Sequence, residues 1–107
     1  GHPGAMRHLL HPGREQLALP AVLYALSDPT RLEIVRRLAG EGEMACGTFD
    51  LATTKATLSH HFKVLRETGL IHTRVEGVYR YNSLRKQDLD ARFPGLLKAV
   101  LKAADQS

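Results

Sequence analysis

Thr54-Lys55-Ala56-Thr57-Leu58-Ser59-His60-His61-Phe62-Lys63-Val64-Leu65-Arg66-Glu67-Thr68-Gly69-Leu70-Ile71 is the stretch on which the fold turns. Leu58, Phe62 and Leu65 recur at helical spacing and define a face to be buried, with His61 at its edge. Ala56, Ser59, His60 and Lys63 point the other way. Thr53 and Thr54 offer an N-cap, and Gly69 supplies the residue that ends a helix in the left-handed region. The spacing therefore predicts a helix after Thr54 that is clamped from one side and polar on the other.

Beyond Gly69 the period changes. Leu70 to Val75 and Val78 to Asn82 are rich in β-branched and aromatic residues, and Glu76-Gly77 lies between them, which predicts a hairpin. Arg74 and Arg80 decorate it. Upstream, Thr48 to Ala52 reads as a short helix carrying Phe49 and Leu51, preceded by a turn over Glu41 to Cys46. Asp28 and Pro29 form a cap and first position for a helix with Leu32, Ile34, Val35 and Leu38 on its apolar stripe, ended by Gly40 and Gly42. Arg14 to Leu26 favours helix, with Pro20 either starting or kinking it. After Leu84 a last helical region is divided by Pro94, and Leu96, Leu97, Val100, Leu101 and Ala104 make its stripe.

A short helix, a polar turn and a longer helix make a helix-turn-helix, and the hairpin after it is a wing. The expected class is mainly α with a small β-hairpin wing. The chain has 107 residues, is 43% hydrophobic and carries a formal charge of +4. That is one modest domain with a lean toward a polyanionic partner. Residues 14–107 are read as the DNA-binding and dimerisation domain. Residues 1–13 are read as a tag remnant (Gly1 to Ala5 ahead of Met6) followed by a loosely ordered arm. One small domain can hardly cover the apolar stripes at both of its ends, so a homodimer through the first and last helices is expected. No apolar run approaches the ~20 residues of a membrane span, and a cytoplasmic location is expected.

The face opposite the apolar one has the chemistry of a groove reader. Thr54, Lys55, Thr57 and Ser59 carry short donors and a cation near the helix N-terminus, and His60 and Lys63 extend them. With Arg74 and Arg80 on the wing, these residues form the expected DNA-binding set. No Gly-rich phosphate loop, nucleophile–base pair or carboxylate pair is present, so no enzyme and no cofactor are expected.

Ala25-Leu26-Ser27-Asp28-Pro29-Thr30-Arg31-Leu32-Glu33-Ile34-Val35, then Thr57 to Ile71, then Arg74-Val75-Glu76-Gly77 with Tyr81-Asn82-Ser83-Leu84 resemble, in order, the motifs of the ArsR/SmtB family of bacterial winged-helix repressors. The resemblance spans about Leu17 to Ala104. It implies a homodimer that represses an operator in double-stranded DNA and is released by an effector, and it implies that Thr54, Lys55, Thr57, Ser59 and His60 read DNA. The metal sites of that family do not carry over. Glu43-Met44-Ala45-Cys46-Gly47-Thr48 holds a single sulfur where many members have a Cys-x-Cys pair. The last helical region has Asp88, Asp90 and Asp105 but no histidine. No metal site is therefore expected.

Three effector readings stay open. Cys46 is a candidate redox sensor against the plainer reading of a packed small residue. Cys46 with His8 or His11 of a partner chain is an improvised metal site. An organic ligand at the dimer interface is the third. His60 and His61 are adjacent on a helix, about 100° apart, and cannot share one ion. The rival functional class is a winged-helix protein-interaction module that does not read DNA.

Overall fold

Asp28 sets the first long helix in place. Its carboxylate accepts hydrogen bonds from the Thr30 and Arg31 amides at 2.8 and 3.1 Å, and Pro29 occupies the first turn. These two amides would otherwise be unpaired donors at a helix start. In the computed structural model, which describes residues 9–49 and 53–106, the elements that follow from such local rules are α1 (Leu19–Leu26), α2 (Pro29–Glu41), β1 (Met44–Ala45), α3 (Lys55–Glu67), β2 (Ile71–Glu76), β3 (Tyr79–Leu84), α4 (Lys86–Arg92) and α5 (Leu96–Asp105). Pro20 starts α1 rather than kinking it: Arg14–Gln16 is a separate 3-10 turn, and Leu17 and Ala18 between the two are extended. Pro94 separates α4 from α5, as expected.

The core is drawn from the five α-helices and β2, with Met44 of β1 and Leu84 of β3 packed against it. Ala25, Ile34, Val35, Leu65, Leu70 and Ile71 are fully enclosed, with Val22, Leu38, Phe62, Leu89 and Leu97 around them. Gly69 makes the join between α3 and β2. Its φ of 89° is left-handed, and a Cβ there would run into the Leu17 side chain. The Leu70 amide reaches back to the Leu65 carbonyl at 3.0 Å and the Gly69 amide to Arg66 at 3.2 Å, which satisfies the helix end.

Two expectations are corrected. The segment Glu41 to Cys46 is not a simple turn: Met44 and Ala45 pair with Asn82 and Tyr81 and add a third antiparallel strand, giving the order β1-β3-β2. Helix does not begin at Thr48 either. Cys46–Thr48 is a 3-10 turn, Phe49 after it is extended, and the remaining positions assigned to the short helix, 50–52, lie outside the described residues. The reason is tertiary. Pairing of β1 holds the chain extended up to Ala45, and Phe49 is drawn into the core, where its ring meets Phe62 edge-on at 5.3 Å and lies under the Arg37 guanidinium. Those contacts need a particular path, not a regular helix.

The segment Leu9 to Gly13 is laid along the open edge of the sheet. The Thr73 amide donates to Nε2 of His11 at 3.0 Å, and the His11 ring stacks on His72 with centroids 4.3 Å apart. A side chain thus takes the place of a strand neighbour on β2.

Candidate nucleic-acid interface

α3 is held from behind, as its pattern requires. Phe62, Leu65 and His61 are buried and Leu58 is half-buried, while Lys55, Ala56, Thr57, Ser59, His60 and Lys63 are exposed. Thr54 caps the helix: its Oγ1 accepts from the Thr57 amide at 3.1 Å and donates to the Thr57 hydroxyl at 2.9 Å. Thr54 therefore shapes the helix start and orients Thr57, whose hydroxyl proton is still available to a ligand.

His61 is an anchor. Arg31, only 5% exposed, donates to the carbonyls of Ala25 (2.8 Å) and Tyr24 (3.3 Å) at the end of α1 and lies 3.2 Å from Nδ1 of His61. A guanidinium has donors only, so Nδ1 of His61 is the acceptor and its proton sits on Nε2, 3.9 Å from Asp28. One buried arginine thus ties α1, α2 and the exposed helix together. Partial burial alone would raise the Asp28 carboxyl. The Arg31 amide, the His61 ring, the Thr30 amide and the Arg31 charge outweigh it, and its pKa lies below the usual carboxylate value.

The sheet has two unlike faces. Residues directly opposite one another across β2 and β3 share a face, so Thr73, Val75, Arg80 and Asn82 look one way and His72, Arg74, Glu76, Tyr79 and Tyr81 the other. The first face and α3 enclose a cleft of about 780 Å³. Lys55, Ser59, Lys63 and Arg80 all line it, joined by Arg66, which sequence reasoning missed. The signal was present: 55, 59, 63 and 66 recur at helical spacing as one basic edge of α3. Thr57 and His60 are exposed on α3 outside this cleft.

Charge pairing separates the arginines. Arg14, Arg36, Arg37, Arg74 and Arg85 each hold a carboxylate, and Arg31 and Arg92 donate to main-chain carbonyls. The side chains of Arg66 and Arg80 have no ion pair or hydrogen bond among the described residues. Burial and then the Arg80 charge lower the pKa of Arg66, against the opposite pull of Glu67 and Cys46. Arg74 is the reverse case. It contacts Glu43 at 2.8 Å, pairs with Glu76 and stacks over Tyr81 at 4.7 Å. The hydrogen bonds it donates to Glu43 and then to Glu76 raise its pKa, and Glu43 is held below the usual carboxylate value chiefly by Arg74. The structure does not bring Arg74 to the α3 side.

Cys46 lies at the floor of the cleft, half-buried. The Asn82 carboxamide donates to its Sγ at 2.9 Å, and Asn82 in turn accepts from the Thr73 hydroxyl at 2.8 Å. Among the described residues no group of three or more His, Cys, Asp or Glu is gathered in a way that could hold a metal. His8, part of one metal reading, lies outside them. No helix of the described chain is long and apolar enough to cross a membrane.

Residues 26–74 match a family model described as a helix-turn-helix domain. The HTH-type transcriptional regulator YceK of Bacillus subtilis (strain 168) is 40% identical over 82 residues, 74% of this chain and 82% of that protein. The arsenical resistance operon repressor of Staphylococcus xylosus is 37% identical over 73 residues, 67% and 70% of the two chains. The chain belongs to the ArsR/SmtB family of winged-helix transcriptional regulators. A crystal structure of an ArsR family transcriptional regulator, 23% identical, superposes with a TM-score of 0.63 over 82% of this chain and 92% of that one, which agrees in fold. In that winged helix-turn-helix fold, β2–β3 is the wing.

Proposed function

We propose that this regulator represses transcription by binding a two-fold operator in double-stranded DNA as a homodimer, in the cytoplasm, until an effector releases it. The observation that carries the reading is the pair Arg66 and Arg80. Neither side chain has an ion pair or hydrogen bond among the described residues, and Arg66 on α3 and Arg80 on β3 line one cleft with Lys55 and Lys63 of the anchored helix. Phosphates supply the missing anions, and Thr57, Ser59 and His60 are the short side chains left to meet base edges. Lys55 and Thr54 sit at the positive end of the α3 dipole, where phosphate is favoured.

For the dimer, the support is apolar surface left uncovered at the first and last helices. Leu19, Leu23 and Tyr24 of α1 are exposed, and Leu96, Val100 and Leu101 of α5 are only half-buried. Joined there, two recognition helices would meet half-sites about one helical turn, ~10 bp, apart.

Fluorescence anisotropy with a genomic operator and a scrambled duplex tests the reading. Binding should weaken steeply with added salt as condensed counterions are retained. The double variant Lys55→Ala, Thr57→Ala should lose the preference for operator over scrambled duplex while sedimentation still reports a dimer. Absence of any duplex binding at low salt would leave the scaffold as an interaction module.

A further inference from the structure

We infer that the cleft between α3 and the wing is a binding site for a small organic anion, with its apolar body inside the cleft and its carboxylate, sulfonate or phosphate on the cations of the rim. The inference rests on the DNA-binding reading in one respect: a ligand seated there takes the cations a duplex would use, which makes it a releasing effector.

The composition of the cleft argues for such a ligand. Its inner wall is apolar: Phe49 and Phe62 are buried, and Leu58 is a half-buried neighbour from α3. Its floor polar groups are already committed to one another through the Thr73–Asn82–Cys46 chain of hydrogen bonds. The floor asks nothing polar of a ligand. The rim asks for negative charge: Lys55, Lys63, Arg66 and Arg80 border it, and no Asp or Glu does among the described residues. A volume of about 780 Å³ is that of a site for a compact organic molecule, several times what one phosphate group of a duplex would fill. Arg66 is the pivot, half-buried at the meeting of the apolar wall and the charged rim. Burial and the neighbouring Arg80 both disfavour its charge, so an anion here relieves a repulsion as well as forming charge-assisted hydrogen bonds.

The probe is 8-anilinonaphthalene-1-sulfonate, an aromatic body with one fixed negative charge, set against its neutral counterpart N-phenyl-1-naphthylamine. Amide shift changes on adding the sulfonate to the full chain should centre on Leu58, Phe62 and Asn82. Arg66→Gln should weaken the sulfonate about tenfold and leave the neutral amine unchanged. Arg80→Gln, on the exposed wing, should act in the same direction and guards against a folding defect in the first variant. Duplex DNA should displace the sulfonate. Equal sulfonate affinity in the parent and both variants, or shift changes confined to α1 and α5, would overturn the inference. So would inorganic phosphate competing as well as the sulfonate, since the apolar wall would then contribute nothing. Duplex binding without sulfonate binding removes the cleft site and leaves the DNA reading standing. Sulfonate binding without duplex binding keeps the cleft site and removes the DNA reading.

Discussion

Arg74 and Arg80 lie on neighbouring strands of the same wing, yet one is spent inside the protein and the other is not. On the outer face Arg74 is clamped by Glu43 and Glu76 and backed by Tyr81. On the cleft face Arg80 and its helix neighbour Arg66 meet no carboxylate among the described residues. The two are alike as residue types in a sequence. What differs is the parity of the strand position and the carboxylates brought near by β1 and the wing itself. A cation marks a ligand site only when the fold leaves it unpaired.

The largest effect expected from this contrast is on the cleft side. Replacing Arg66 and Arg80 together by Gln should lower duplex affinity about 10- to 100-fold at low salt and flatten the salt dependence by nearly two counterions. Titrations across a salt series check both numbers, and an unchanged slope would break the comparison. Next comes the floor that holds the cleft face in shape. Asn82→Ala strands the Thr73 hydroxyl and the Cys46 thiol, and should destabilise the fold by roughly 1–3 kcal/mol in urea denaturation. The outer face should be much less sensitive. Arg74→Gln should change duplex affinity by less than about twofold, because the charge it removes is already balanced by two carboxylates. A loss as large as that from Arg80→Gln would show that the outer face also meets the duplex.

The smallest effect concerns the edge of the outer face. Burial first, then the charges of His72, Arg85 and Arg66, hold His11 below the ordinary histidine value. A depressed histidine stabilises the fold fully above its unfolded pKa, about 6.5, and that contribution is lost as pH falls through the lower folded value. Protonation also removes the lone pair that accepts from the Thr73 amide. Exchange of the Thr73 amide, measured by NMR against that of core amides and corrected for intrinsic pH dependence, should show protection dropping as the solution is acidified from about pH 7.5 to about pH 5. Duplex affinity of an Arg74→Gln, His11→Ala variant at the higher pH should stay near that of the parent, if the outer face is idle.

Much of this was legible in order along the chain. The Asp28-Pro29 cap, the Leu58/Phe62/Leu65 face, the Gly69 stop and the strand runs about Gly77 each follow from backbone chemistry within a few residues, and each stands where it was expected. The row that Arg66 shares with Lys55, Ser59 and Lys63 was legible, but its place in a cleft with Arg80 and Cys46 was hidden because those residues are distant in sequence. β1 was hidden because two residues of ordinary propensity become a strand only when β3 offers an unsatisfied edge.

The sequence alone therefore determined the succession of helices and strands and which face of α3 is apolar, since caps, glycines and periodicity act through neighbours on the chain. Only the tertiary structure decided which cations hold a carboxylate among the described residues, that Cys46–Thr48 is a 3-10 turn ahead of an extended Phe49, and where His11 rests. Those outcomes depend on side chains tens of residues apart coming within hydrogen-bond reach, a distance that no local pattern encodes.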